Sequence, residues 1–344
     1  MGVFDLQCLF NTTNGSTVLA RQASNLGRVL SLTGSSSAVV EQEVQPTDVK
    51  HQTMFPKASV DSQYFFGMPK LEWRFWKTMQ VSAAMMKTAG QMEPHEIVLR
   101  DARKCNVCYE QTGFTLCPLK SKVVDWNAVA TYGSEQSQVY QAELEAIIRE
   151  LHPTVKKVVN VGFLLRGGPG ENPPAKGGIH LDYHIDNELR QSYMKAQNGS
   201  GDPSFVDDPE LELGLILGLW KPRNESNPVH DYPLFVGDAS TFESGDYVPM
   251  YQKFQHILSG EVSSVVNVGS SVKFAEGQRW YYYHQQTADE LLVFRHRTVA
   301  RQGFASPHGA AGPLPLPEGA ETRMSVEARA YCYFVKGTAP LPLV

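Results

Sequence analysis

The sequence predicts a mainly β protein with flanking helices, built on an antiparallel jelly roll. Three observations predict it. Short apolar, β-branched runs recur after residue 155: Val158–Leu165, Leu213–Trp220, Pro233–Val236, Val262–Phe274, Trp280–Gln285, Leu291–His296 and Ser325–Val335. Gly/Pro-rich turns separate them, among them the run GGPGENPPAKGG and the loop Gly312–Pro317. No helical pattern alternates with these runs, which argues against a parallel α/β sheet and for an antiparallel sandwich or barrel, of which the jelly roll is the most economical.

The earlier part of the chain is mixed. Strand-like stretches lie at Ser31–Val40 and Gly113–Leu116, and a helix is expected around Lys77–Thr88. Glu135–Leu151 is the clearest helix, because Val139, Leu144, Ile147, Ile148 and Leu151 recur at helical spacing. His152-Pro153 ends it, since proline restricts the residue before it and cannot continue the hydrogen-bond ladder. The expected organisation is therefore a mixed α/β region, 1–155, packing on a jelly-roll core, 156–344, within one continuous domain.

Composition narrows the function classes. Of 344 residues, 42% are hydrophobic and 19% charged, a globular mixture rather than a disordered one. A net charge of −5 with no basic run argues against nucleic acid, whose phosphates demand clustered Lys and Arg. The first residues, MGVFDLQCLF, lack the basic and apolar regions of a secretory signal, and Leu6 stands where a myristoylation motif wants Ser or Thr. The longest apolar run, Leu213–Trp220, is far short of a membrane span. Five cysteines, an odd and sparse count, suit free thiols in a reducing compartment. Cys105, Cys108 and Cys117 resemble part of a zinc knuckle, but the fourth ligand is missing, so incidental thiols are the better reading. The sequons at Asn11, Asn14, Asn198 and Asn224 read as chance matches. Together these features predict a cytoplasmic protein with a small-molecule partner and no membrane span, and leave a homo-oligomer open.

The chemistry concentrates in three places. Within GGIHLDYHID, His180 and Asp182 are two apart, so an extended backbone points both to one face, where an imidazole and a carboxylate suit a divalent metal such as Fe(II). His184 and Asp186 form a rival pair in the next register. His308, in SPHGAAG, supplies a distant third ligand, giving a facial triad with three coordination positions left open. His296, in LLVFRHRT, and His184 compete for that place. Finally, Arg323-Met324-Ser325 follows His308. An arginine fork beside a hydroxyl is a carboxylate receptor. 2-Oxoglutarate carries two carboxylates: one chelates iron with the keto oxygen, and the other needs a cationic anchor. The order of these elements is chemically coherent.

The sequence also resembles the fungal gibberellin-desaturase and aspergillic-acid hydroxylase type of oxygenase, relatives of a cephamycin methoxylation component. The likeness runs from about Arg100 onward. It rests on Arg100-Asp101-Ala102-Arg103 with Gly113-Phe114, Tyr140-x-x-Glu143, the strand ending at Arg166, His180-x-Asp182, and Leu219-Trp220-Lys221-Pro222. It continues through Pro233-Leu234, Gly237-Asp238-Ala239-Ser240, Trp280-Tyr281-Tyr282, Ala288-Asp289-Glu290, His308 and Arg323-Met324-Ser325-Val326-Glu327-Ala328-Arg329. The resemblance implies a double-stranded β-helix (cupin-like) core using Fe(II), 2-oxoglutarate and O2. It makes His180, Asp182 and His308 the metal ligands and catalytic centre, and gives 2-oxoglutarate to Arg323 with Ser325. It implies a non-haem iron dioxygenase that hydroxylates, desaturates or rearranges an apolar secondary metabolite. The alternatives are a non-catalytic jelly-roll partner subunit and a metal-dependent oxygenase without 2-oxoglutarate. The sequence departs from the family at Lys221, where arginine is usual, at Arg279, often histidine, and at Gly309-Ala310-Ala311, where bulkier residues are common.

Trp280, Tyr281, Tyr282 and Tyr283 form an aromatic run that either packs the core or lines an apolar substrate pocket. Asp238 reads as a turn residue.

Overall fold

The computed structural model describes residues 47–61, 63–67, 90–131, 133–168, 170–171, 178–183, 206–255, 262–301 and 303–341. The predicted elements Ser31–Val40 and Lys77–Thr88, the rival pair His184/Asp186 and three of the sequons lie outside these residues.

Two sheets make the fold. The larger has nine strands: β1 (Val49–Pro56), β2 (Gln63–Gly67), β3 (Met92–Asp101), β6 (His180–Leu181), β8 (Leu234–Gly237), β9 (Tyr247–Gln255), β10 (Val262–Val272), β11 (Trp280–Tyr282) and β13 (His308–Ala310). Their order is β1-β3-β11-β8-β13-β6-β10-β9-β2. The smaller contains β4 (Phe114–Pro118), β5 (Lys157–Arg166), β7 (Leu211–Pro222), β12 (Glu290–Thr298) and β14 (Ser325–Val335), in the order β4-β12-β7-β14-β5. Pairing is antiparallel except for β11 with β3 and β2 with β9. This is the jelly-roll architecture the strand pattern predicts, and it draws strands from both halves of the chain into each sheet.

Period-2 alternation gives the five-stranded sheet two different faces. Leu215, Leu217 and Leu219 on β7, Leu291 and Val293 on β12, and Val326, Ala328 and Ala330 on β14 join one apolar cluster. The helix α1 (Glu135–Leu151) packs on that cluster through Tyr140, Leu144 and Ile148, all with no solvent exposure. Burying each such side chain stabilises the fold by about 1.5–3 kcal/mol. Ser134 caps the helix by accepting from the Ser137 N–H at 3.0 Å, and the chain leaves it at His152, as the sequence predicts. The opposite face of the sheet carries Gly218 and Trp220, Phe294 and His296, and Ser325, Glu327 and Arg329. It looks into the space between the sheets.

The aromatic run settles into the core. Trp280 and Tyr282 join one cluster and Tyr281 joins another with Tyr283, so alternation sends the rings to two faces and both are buried. The strand stops at Tyr282, and Gln285 adopts a left-handed φ of 50° shortly after. Asp238 caps the single turn Ala239–Thr241 and pairs with Arg279 at 2.8 Å. Cys117 packs in the cluster beneath α1. The fourth sequon, Asn224, is buried, with its amide donating to the Thr322 carbonyl.

Candidate active site

A cavity of about 340 Å³ opens between the two sheets. The nine-stranded sheet contributes His180, Asp182, His308, Gly309, Ala310 and Leu234. The five-stranded sheet contributes Leu164, Trp220, Phe294, His296, Glu327 and Arg329.

The strand register brings the first three together. β6 and β13 are neighbours, and His308 lies directly opposite His180. Asp182 leaves β6 two residues on, so its side chain returns to the same side. One donor atom each from His180, Asp182 and His308 fit within 4.8 Å of one another. Gly269 lets β10 lie close against β6, since a Cβ there would be 2.3 Å from the Leu181 carbonyl oxygen. Its φ of 146° also favours glycine.

Hydrogen bonding sets each ligand's chemistry. The Gly178 carbonyl can only accept, so His180 Nδ1, at 3.0 Å, carries the proton and donates. Its Nε2 faces Asp182 Oδ1 at 3.3 Å; burial lowers the His180 pKa, but hydrogen bonding to that carboxylate and its charge outweigh burial and raise it above the ordinary value. His308 is buried, and burial holds its imidazole neutral, well below the ordinary histidine range. Its Nδ1 meets no hydrogen-bond partner. Burial alone would push Asp182 upward, but the Arg329 guanidinium, then His296, outweigh it and hold the carboxyl well below its usual range. A neutral imidazole and an ionised carboxylate are the forms that ligate metal.

The anchor expected for the cosubstrate stands just before β14 and at its first residue. Arg323, Ser325, Glu327 and Arg329 alternate, so they share one face of this extended segment. Arg323 is 1% exposed and its guanidinium packs over the Trp220 ring at 5.5 Å, behind the cavity wall rather than in it. One donor serves the Tyr232 carbonyl at 2.7 Å. Nε and Nη2 of Arg323, Oγ of Ser325 and Nε1 of Trp220 are buried and meet no partner. Unsatisfied buried donors are costly, and the acceptors of a ligand reaching this end of the cavity would satisfy them. Burial lowers Arg323 to about 10, which still leaves it charged at neutral pH.

Of the rivals, His296 lies beside the triad, with Nε2 3.3 Å from Asp182 Oδ2. That contact was not legible in sequence. The signal was the shared parity of Phe294 and His296 on a strand whose next-but-one neighbour carries Arg329. Glu327 and Arg166, paired at 2.7 Å on the cavity edge, were likewise missed as lining residues. Lys221, in the place of the family's usual arginine, is buried and donates to the Leu119 carbonyl at 2.9 Å.

The fold and this cluster define a jelly-roll protein with two histidines and one aspartate converging in its interior. The model of the oxidoreductase/YMDC permease-like domain family matches residues 54–333, and the chain belongs to that family. Among relatives, it is 26% identical over 243 residues to the alpha-ketoglutarate-dependent dioxygenase phiK of a fungal species, covering 68% of this chain and 82% of that one. It is 24% identical over 240 residues to the hydroxylase/desaturase poxK of Penicillium oxalicum, covering 62% and 69%. Among solved structures, the iron and alpha-ketoglutarate-dependent endoperoxidase NvfI shares the fold, with a TM-score of 0.59 over 85% of this chain and 100% of that one at 17% identity. These relatives bear out the resemblance drawn from the motifs. No helix among the described residues is long and apolar enough to cross a membrane.

Proposed function

We propose that this chain is a cytoplasmic Fe(II)- and 2-oxoglutarate-dependent oxygenase of the fungal type that oxidises an apolar secondary metabolite. Hydroxylation, desaturation and oxidative rearrangement all belong to this class. One observation carries the proposal: a His180–Asp182–His308 cluster of metal-binding geometry lines a cavity whose opposite sheet presents Trp220, with the partnerless buried donors of Arg323 and Ser325 behind that wall. The donor set fits both groups. Two imidazoles and one carboxylate suit Fe(II) and leave positions open, and a guanidinium beside a hydroxyl suits a carboxylate.

When bound, iron, 2-oxoglutarate and O2 supply the oxidising chemistry, with succinate and carbon dioxide as the cosubstrate's products. The chain's residues bind and orient. The Gly178 carbonyl fixes the His180 ring and its tautomer. His308 presents a neutral imidazole and Asp182 a negative charge that offsets part of the cation's. Arg323 and Ser325 receive the cosubstrate's distal carboxylate, and the Trp220 indole N–H lies at the same end. Leu164, Leu234 and Phe294 give the substrate an apolar wall and exclude water. Gly309 and Ala310, small where the family is often bulky, leave room beside His308.

The test is metal-free protein reconstituted anaerobically with Fe(II) and 2-oxoglutarate, then given O2 and candidate metabolites. Succinate should form in step with oxidised product. Product without succinate would mean an oxygenase that does not use 2-oxoglutarate. A chain that binds no iron would be a non-catalytic jelly-roll subunit.

A further inference from the structure

We infer that His296 and Arg329 are positioning residues that hold the outer oxygen of Asp182, keeping its inner oxygen alone for the metal. This rests on the proposed iron site and adds two residues to it.

The geometry divides the carboxylate cleanly. Asp182 Oδ1 faces His180 Nε2 at 3.3 Å, on the side where the three ligands converge. Oδ2 faces the other sheet, 2.5 Å from Arg329 Nε on β14 and 3.3 Å from His296 Nε2 on β12. A carboxylate only accepts, so the Nε2–H tautomer of His296 is the one that suits this contact. Its Nδ1 meets no partner, which leaves Asp182 as the polar contact that explains an imidazole only 2% exposed.

The surroundings fix this imidazole in place. Phe294 packs edge-on at 4.9 Å between ring centroids and Tyr183 at 5.9 Å. Across the sheet stands Gly218, where a Cβ would lie 2.7 Å from His296 Nε2 and 2.4 Å from Phe294 Cζ. A glycine there leaves the volume the imidazole fills. Arg329 approaches from β14, on the far side of β7, with its guanidinium 6.0 Å from the Tyr183 ring centroid.

The chemical consequence follows from the count of positions. A carboxylate with a free second oxygen can turn and bind a cation through both, filling a position that cosubstrate, O2 or substrate needs. The Arg329 hydrogen bond to Oδ2 and the His296 contact beside it oppose that rotation. They also satisfy the half of a buried carboxylate that the metal does not touch. Outer partners of this kind are typically worth 10–100-fold in metal affinity.

The experiment compares wild type, His296→Leu, His296→Gln and Arg329→Met. Fe(II) affinity is measured by anaerobic titration of the metal-free proteins, 2-oxoglutarate affinity at saturating iron, and folding by thermal unfolding. Leucine keeps bulk without a donor, whereas glutamine restores an N–H at similar reach. The expected result is iron binding weakened about 10–100-fold in His296→Leu and Arg329→Met. His296→Gln should lie within a few-fold of wild type, and 2-oxoglutarate affinity should be little changed. Equal iron affinity in His296→Leu and wild type overturns the inference, as does an equal loss in the Leu and Gln variants. If His296→Leu does not fold, the Arg329→Met measurement decides. A steep loss of 2-oxoglutarate affinity with iron affinity intact would make Arg329 a cosubstrate anchor instead. If wild type itself binds no iron, the proposed function fails rather than this inference.

Discussion

His180 and His308 face each other across the β6–β13 pair, with imidazole centroids 4.5 Å apart. Two residues distant in sequence thus become cross-strand neighbours, and Asp182 adds its carboxylate from the same strand end. The His180 side chain is partly open to the cavity and supports no core packing, so its removal should spare the fold. His180→Ala should unfold within a few degrees of wild type and form no succinate. Thermal unfolding and a turnover assay on the same preparation check this.

Arg323→Ala removes a charge-assisted pair whose partner, in this account, is the distal carboxylate of 2-oxoglutarate. Losing such a buried pair costs on the order of 2–5 kcal/mol. The dissociation constant for 2-oxoglutarate on iron-loaded protein should therefore rise by at least tenfold. Ser325→Ala should cost about 1 kcal/mol, the worth of an ordinary hydrogen bond. An unchanged constant in Arg323→Ala would move the anchor elsewhere.

Gly218→Val should be destabilising for a reason visible in the packing. Its Cβ would lie 2.4 Å from Phe294 Cζ. Overpacking of this kind costs about 1–3 kcal/mol. Urea unfolding measures the loss, and Fe(II) titration should show weaker binding as His296 is displaced.

The legible part of the fold was the part with strong periodicity. Val158–Leu165, Leu213–Trp220 and Ser325–Val335 read as strands because they are long, apolar and flanked by turns, and Glu135–Leu151 reads as a helix from its apolar stripe. β1 and β3 do not, because VKHQTMFP and MEPHEIVLRD mix His, Gln and Glu into half-exposed positions. β6 and β13 are two and three residues long, and only the sheet around them makes them strands. The order of HxD, His and RxS suggested a metal and a carboxylate. What the order could not show is that His296 meets Asp182, since that contact depends on how the two sheets pack.

His152 should make stability depend on pH. Burial, then the Arg295 charge, lowers its pKa to about 3, and it is paired with the Tyr109 hydroxyl at 2.9 Å. The unfolded imidazole titrates near 6.5. Between these values the unfolded chain binds a proton that the folded one refuses. The contribution is therefore intact above pH 6.5 and is lost as pH falls from there toward 3, by about 1.4 kcal/mol per unit. His152→Gln should show a shallower loss than wild type when urea unfolding is compared at pH 7 and pH 5. Parallel losses in the two proteins would remove His152 from the account.

The most direct measurement is the iron stoichiometry of His308→Ala beside wild type, by anaerobic Fe(II) titration in the presence of 2-oxoglutarate. Wild type should bind one Fe(II) per chain and His308→Ala should hold none tightly, with both proteins folded. Stoichiometric, tight iron in folded His308→Ala would contradict the triad.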